Sequence, residues 1–244
     1  MTNCENINPY DDNRPKTEQV REMFDSIAPA YDFMNRAMTF GIDKLWRRRA
    51  VKMIAKHAPK RILDIATGTG DLAIRLAKSL KPESVVGVDL SEQMLAIGQE
   101  KVKKEGLAGI VSLSPADCMH LPFENEIFDC VTVAYGVRNF EHLQQGYEEM
   151  HRVLRSGGVL CVIELSTPTS PLVKPFYKAY TKWIIPAVGR LVSKDVRAYS
   201  YLPESIAAVP QGENMLALMK NAGFSQCSFT PLTFGTCTIY IAVK

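Results

Sequence analysis

Between residues 60 and 165 the chain repeats one pattern: a short apolar run, a polar or glycine-bearing turn, then an amphipathic stretch. RILDIA, SVVGVDLS, IVSLSPAD, IFDCVTVAY and VLCVIELS are the apolar runs. They are short and rich in β-branched residues, which makes them strands. DLAIRLAKSL, SEQMLAIGQEKVKKEG and LQQGYEEMHRVLRSGG are helices; Ser91 caps the second, Gly106 stops it, and Gly157 ends the third. Apolar strands that alternate with helices bury themselves as a parallel sheet covered on both faces. SQCSFTPLTFGTCTIYIAVK adds two strands joined near Gly235, an antiparallel closure of the sheet. The expected fold is therefore α/β and Rossmann-like: a mostly parallel seven-stranded sheet with helices on both faces and an antiparallel C-terminal strand.

The flanks of this repeat are different. Residues 1–16 are rich in Asn, Asp and Pro and form a loose arm. Residues 17–58 read as helical, with a break at Pro29 and an end at Pro59. This divides the chain into an arm and helical cover over 1–58 and a main domain over 59–244. Residues 166–210 interrupt the rhythm with prolines, aromatics and bases, and read as an inserted helical cover. The six cysteines lack metal-ligand spacing and sit mostly in apolar runs, so they are expected to be reduced thiols. The four histidines also lack ligand spacing, and no metal is called for. A net charge of +3 does not point to nucleic acid. The N-terminus has no apolar signal segment and no apolar run can span a bilayer, which favours a cytoplasmic location.

The turn after the first strand, ILDIATGTGDLA, lies where doubly wound sheets bind ligands. Gly68 and Gly70 let the backbone approach a ligand closely. Asp89 closes the next strand, where a carboxylate accepts both hydroxyls of an adenosine ribose. Two ligands fit, a dinucleotide and S-adenosylmethionine. A pyrophosphate favours a neutral glycine turn opening onto a helix N-terminus. Here Ala73 replaces the third glycine, and Asp64 and Asp71 flank the turn. Such charges suit a sulfonium and an ammonium group instead, so S-adenosylmethionine is the preferred ligand. Alternatively, Asp71 only caps the helix and Asp64 is a satisfied strand-end acid. Asp117 and Cys118, at the third strand end, offer a carboxylate for the adenine amino group and a backbone N–H for a ring nitrogen.

These residues resemble class I S-adenosylmethionine-dependent methyltransferases. FDSIAPAYDFMNRAMTFGIDKLWRR, LDIATGTGD, LPFENEIFDCVTVAYGVRNF, VLRSGGVLCVIELSTP and YSYLPESI narrow the match to the C-methyltransferase family of menaquinone and ubiquinone biosynthesis, from about residue 18 onwards. The resemblance implies cofactor contacts at Thr69 in the Gly68–Gly70 loop, at Asp89, and at Asp117 with Cys118. Ala134 stands where some relatives carry a serine that also contacts the cofactor, and it has no side-chain donor. The implied reaction moves a methyl group to a ring carbon of a prenylated quinol, here demethylmenaquinol. A 2-methoxy-6-polyprenyl-1,4-benzoquinol or another small molecule is the alternative.

A ring carbon becomes nucleophilic when a neighbouring hydroxyl ionises. Arg138 and Asn139 are the catalytic candidates: a guanidinium stabilises a phenolate, and the amide orients the ring or a water. Otherwise Arg138 pairs with a carboxylate and Asn139 caps a loop. His120, Tyr31 and Tyr201 are alternative proton acceptors, and none is singled out as the base. In 172–199, Lys174, Lys178, Lys182, Arg190, Lys194 and Arg197 are interleaved with Phe176, Tyr177, Tyr180 and Trp183. That composition suits a channel for a prenyl tail or contact with the inner face of a membrane, and equally an amphipathic cap on the sheet. LWRRRAVKMIAK (45–56) reads as a helix with a solvated basic face. A homodimer is a further expectation; a nucleic-acid partner is not.

Overall fold

The computed structural model describes residues 2–10, 12–184 and 197–244. Strand β1 (Arg61–Ile65) shows why the apolar runs extend as they do. Leu63 and Ile65 pack into the core on one side of the sheet and Ile62 into the core on the other, all essentially inaccessible to water. Side chains alternate along a strand, so a run apolar at every position needs cover on both faces.

β2 (Ser84–Asp89), β3 (Val111–Pro115), β4 (Phe128–Ala134) and β5 (Leu154–Leu165) join β1 in parallel. β6 (Ser225–Leu232) and β7 (Cys237–Val243) complete a sheet of order β3-β2-β1-β4-β5-β7-β6, with β7 antiparallel to both neighbours. The chain leaves β1 towards β2 on one side, while β4 lies on the other. That reversal of direction opens a crevice at the carboxyl ends of β1 and β4.

Helices α2 (Asp43–Ile54), α3 (Asp71–Leu80) and α4 (Glu92–Lys104) cover one face, with Trp46, Ala50, Leu72, Leu76 and Leu95 in its core. Helices α5 (Leu143–Val153) and α8 (Glu213–Asn221) cover the other, contributing Tyr147, Met150, Met215 and Met219. Helix α1 (Lys16–Thr39) packs against α4 above the crevice. The expected insertion contains α6 (Lys174–Ala179), a π turn (Tyr180–Ile184) and α7 (Arg197–Ala208). Arg190 and Lys194 lie outside the described residues.

Four local expectations change. The N-terminal arm is not loose: Asn3–Asn6 forms a helical turn, Cys4 is buried in the core, and Glu5 Oε1 accepts from Leu143 N–H at 2.8 Å. Pro29 does not break the helix, because α1 runs through it and ends at Phe40 and Gly41, both with left-handed backbones (φ 50° and 74°). An interior proline costs about 3 kcal/mol, whereas burying Val20, Met23, Ala28 and Met34 on the same helix recovers roughly 1.5–3 kcal/mol per large side chain. Helix α5 stops at Val153 rather than Gly157, since Leu154 already pairs with Phe128 as the first residue of β5. The basic face of α2 is only partly solvated: Arg48, Arg49 and Lys52 are exposed, but Arg47 is buried. All six cysteines are free thiols.

Candidate active site

The loop after β1 is held from beneath and from the side. Gly70, with φ 75°, starts α3 in a conformation that L side chains avoid. Gly68 N–H donates to Asp89 Oδ2 at 2.7 Å, and Ser91 N–H donates to Oδ1 at 3.0 Å. Asp89 is thus fixed across the loop from Gly68. Burial pushes its carboxyl up, and those two N–H donors oppose the shift. A carboxylate accepts at about four lone-pair sites, so acceptor capacity remains.

Asp89, Asp117, Cys118 and Gly68 line one cleft, enclosing about 710 Å³, with Phe24 and Tyr31 of α1 on its wall. Asp117 is oriented by Met119 N–H at 2.9 Å. Ala134, Gly136 and Asn139 close the cleft at the end of β4. A Cβ on Gly136 would stand 2.6 Å from Ala66 Cβ, so the turns after β1 and β4 touch only because that position is bare.

Asp64 and Asp71 do not flank this cleft as free charges. Asp64 is buried and accepts hydrogen bonds from Thr67 Oγ1 (2.6 Å) and Thr132 Oγ1 (2.5 Å). Burial raises its pKa to about 6. Asp71 is ion-paired with Lys101, whose Nζ also donates to Asp32 Oδ2 (2.9 Å) and Thr69 Oγ1 (3.0 Å). Thr69 Oγ1 donates in turn to Asp32 Oδ1 at 2.7 Å. Lys101 is thus shared between two carboxylates, the hydroxyls satisfy Asp64 without cancelling its charge, and Thr69 points to the α1–α4 contact rather than into the cleft. The carboxylates that line the cleft are Asp89, Asp117 and Glu141.

A second cavity of about 1170 Å³ adjoins the first. Tyr31 and Tyr135 line both. Its wall is mostly apolar: Met38, Phe40, Ile42, Trp46, Leu165, Phe176, Leu202 and Ile206. Arg138, in a single helical turn after β4, enters this wall buried, and its Nη1 donates to Glu164 Oε1 at 2.8 Å and to the Tyr135 carbonyl. Asn139 Oδ1 accepts from Tyr201 Oη at 3.0 Å. Arg138 thus pairs with a carboxylate, the alternative the sequence left open, and the pair lies in the wall of this cavity. Burial raises the pKa of Tyr31 and of Tyr201, which disfavours either phenolate. His120 is outside both cavities, exposed beside Asp117.

A model of the ubiE/COQ5 methyltransferase family matches residues 12–244. The chain belongs to that family. A demethylmenaquinone methyltransferase of Bacteroides fragilis is 50% identical over 240 residues, which is 98% of each chain. One from Porphyromonas gingivalis is 45% identical over the full length of both. A ubiquinone/menaquinone biosynthesis C-methyltransferase of Geobacter sulfurreducens is 44% identical, covering 94% of this chain and 90% of the relative. Among solved structures, the [4+2]-cyclase SpnF superposes with a TM-score of 0.67 at 18% identity, over 95% of this chain and 98% of its own. A SAM-dependent methyltransferase from Thermotoga maritima gives 0.63 at 21%, over 92% and 99%. At those identities the structures speak for the fold, which is that of class I methyltransferases.

Sequence reading missed several residues of the methyltransferase's crevice. Glu164, the partner of Arg138, looked like one more strand residue. Asp32 and Lys101 sit on helices far apart in sequence. Asp43 and Arg47 form a buried ion pair, and Arg47 lies 5.2 Å above the Tyr135 ring. The one available signal was the spacing of Asp43, Trp46 and Arg47, which puts all three on one face of α2.

Proposed function

We propose that the chain methylates a ring carbon of a prenylated quinol, converting demethylmenaquinol to menaquinol with S-adenosylmethionine as donor. The observation that carries this reading is the junction of two cavities at Tyr31 and Tyr135, one with acidic hydrogen-bond acceptors and the other apolar with a buried arginine. The names of the relatives agree with it.

The smaller cleft fits the donor. Asp89 would accept the ribose hydroxyls and Asp117 the adenine amino group, with the Cys118 backbone beside it. Asp89 and Asp117 also favour a ligand carrying positive charge. S-adenosylmethionine supplies, when bound, a methyl group on cationic sulfur, open to attack by a nucleophilic carbon. Thr69 and Lys101 act on the donor indirectly, by fastening α1 over the loop.

In the larger cavity Arg138 stabilises the ring oxygen as its proton passes to water. An arginine stays protonated, so its role is electrostatic rather than basic. Asn139, tethered by Tyr201, keeps the Arg138 turn in place. The apolar wall around Met38, Phe176 and Leu202 holds the ring in line, and positioning of this kind contributes on the order of 7–11 kcal/mol. The same wall continues into a prenyl chain's path. Phe40 and Phe176 line the cavity and are also 74% and 77% exposed. Leu172 and Trp183, which flank Phe176 in the chain, are exposed as well, and Lys174, Lys178 and Lys182 fall in the same stretch of sequence. This edge would rest on an anionic bilayer surface, from which a lipid substrate enters. Among the described residues no helix is long and apolar enough to cross a membrane.

The test incubates purified protein with methyl-labelled S-adenosylmethionine and either demethylmenaquinol or a methoxy-benzoquinol, then reads the extracted lipid by mass spectrometry. Label in the naphthoquinol supports the proposal. Label only in the benzoquinol, or in neither, overturns it.

A further inference from the structure

Among the described residues, three buried side-chain polar atoms lack a hydrogen-bond partner: Arg47 Nε, Tyr135 Oη and Arg138 Nε. Buried unpaired donors are uncommon and costly, and each calls for an explanation. All three residues line the same, larger cavity. These atoms are themselves closed off, but the three residues that carry them gather polar groups around an otherwise apolar space, as a ligand with oxygen atoms would require.

Arg47 is built into this wall deliberately. Asp43 and Arg47 are one helical turn apart on α2, and both are buried. Trp46, between them, donates from Nε1 to Thr233 Oγ1 at 2.8 Å, which ties α2 to the β6–β7 turn. Its ring meets that of Tyr135 edge-on at 6.5 Å. Tyr135 itself has φ 60°, a strained conformation for a bulky residue and of the kind that functional sites retain. A buried ion pair contributes little net stability compared with apolar side chains, so packing alone does not account for Arg47.

Tyr135 separates the two arginines. Arg138 holds its carbonyl and Arg47 lies over its ring. A guanidinium has five N–H donors. Asp43 engages Arg47 at Nη1, and Glu164 with the Tyr135 carbonyl engages Arg138 at Nη1. Each arginine keeps further donors at the cavity wall. One guanidinium thus meets the Tyr135 backbone and the other the face of its ring, both in the wall of one cavity, and a para-dihydroxy ring carries two oxygens for two such donors.

We infer that Arg47, held by Asp43, is a specificity-determining residue of the acceptor cavity, binding the ring oxygen that Arg138 does not. The inference rests on the quinol reading above. It makes the cavity select acceptors with two oxygens over those with one, and it sets which ring carbon faces the donor.

The test uses a short-chain demethylmenaquinol and its analogue lacking the hydroxyl remote from the methylated carbon. kcat/KM is measured for both with the wild type, R47Q and R47K. Because R47Q strands Asp43, the charge-neutral double variant D43N/R47Q is measured beside it, and equilibrium dialysis with S-adenosylhomocysteine checks that the donor cleft survives. The wild type should favour the diol. R47Q and D43N/R47Q should lose about tenfold of that preference, as for one charge-assisted hydrogen bond, with R47K between. A structural role alone would lower both acceptors equally. If the wild type methylates the diol and the variants keep its full preference, or lose both acceptors alike, Arg47 does not bind the second oxygen. If the wild type methylates neither acceptor, the quinol reading fails and takes this inference with it.

Discussion

Replacing Glu164 by glutamine should destabilise the protein by about 3–5 kcal/mol, the range for stripping one partner from a buried ion pair. Glu164 and Arg138 are 1% and 6% exposed, so solvent cannot take over either charge. Glu164 accepts from Arg138 Nη1 and from Leu165 N–H, both at 2.8 Å, and more weakly from Arg138 N–H at 3.4 Å. A glutamine has one acceptor oxygen where three donors converge, and its NH₂ faces one of them. For a chain of this size, about 2–4 °C of melting temperature corresponds to 1 kcal/mol, so a fall of roughly 6–20 °C is expected. Urea unfolding followed by circular dichroism measures the free energy directly. The double variant R138M/E164L removes both charges and should recover most of the loss while abolishing methyl transfer. If E164Q stays within about 1 kcal/mol of wild type, the pair is not held as described, and the electrostatic case for Arg138 fails with it.

Other outcomes follow from the same geometry. K101M releases Asp32, Thr69 and Asp71 together; in this partly exposed network the loss of about 1–2 kcal/mol should weaken S-adenosylhomocysteine binding by roughly 5–30-fold by calorimetry, with K101R close to wild type. An unchanged affinity would separate the α1 clamp from the donor cleft. Asp64 binds its proton more tightly folded than unfolded, since burial raises its pKa from 3.8 to about 6. Its contribution to stability is therefore greatest below pH 3.8, falls as pH rises towards about 6, and is flat above. At 1.36 kcal/mol per pH unit the whole change is worth about 3 kcal/mol, so wild type should gain on D64N by up to that amount between pH 7 and pH 4. A difference that does not vary with pH would contradict this. H120A should leave kcat/KM and its pH profile unchanged in the labelled-methyl assay, because that side chain is exposed outside both cavities.

Features controlled by neighbours along the chain were legible before any folding was considered. The alternation of apolar runs and amphipathic stretches required a two-faced parallel sheet. The glycines after β1 and the acids closing β2 and following β3 put Gly68, Asp89 and Asp117 around one cleft. Cys118 was legible in the same way. Each of these depends on periodicity, backbone freedom or a strand end, and each is visible within a few residues.

Which charges have partners depends on contacts between segments far apart in the chain. For Asp64 the sequence left two readings, an open anion and a satisfied strand-end acid, and Thr67 and Thr132 select the second; Asp71 pairs with Lys101. Arg47 looked solvated, yet Asp43 and Tyr135 enclose it. Helix α1 passes through Pro29 because side chains packed elsewhere in the fold outweigh the local penalty. The physical reason is common to all: a charge or a helix turn is settled by the partner that packs against it, and that partner is remote in sequence.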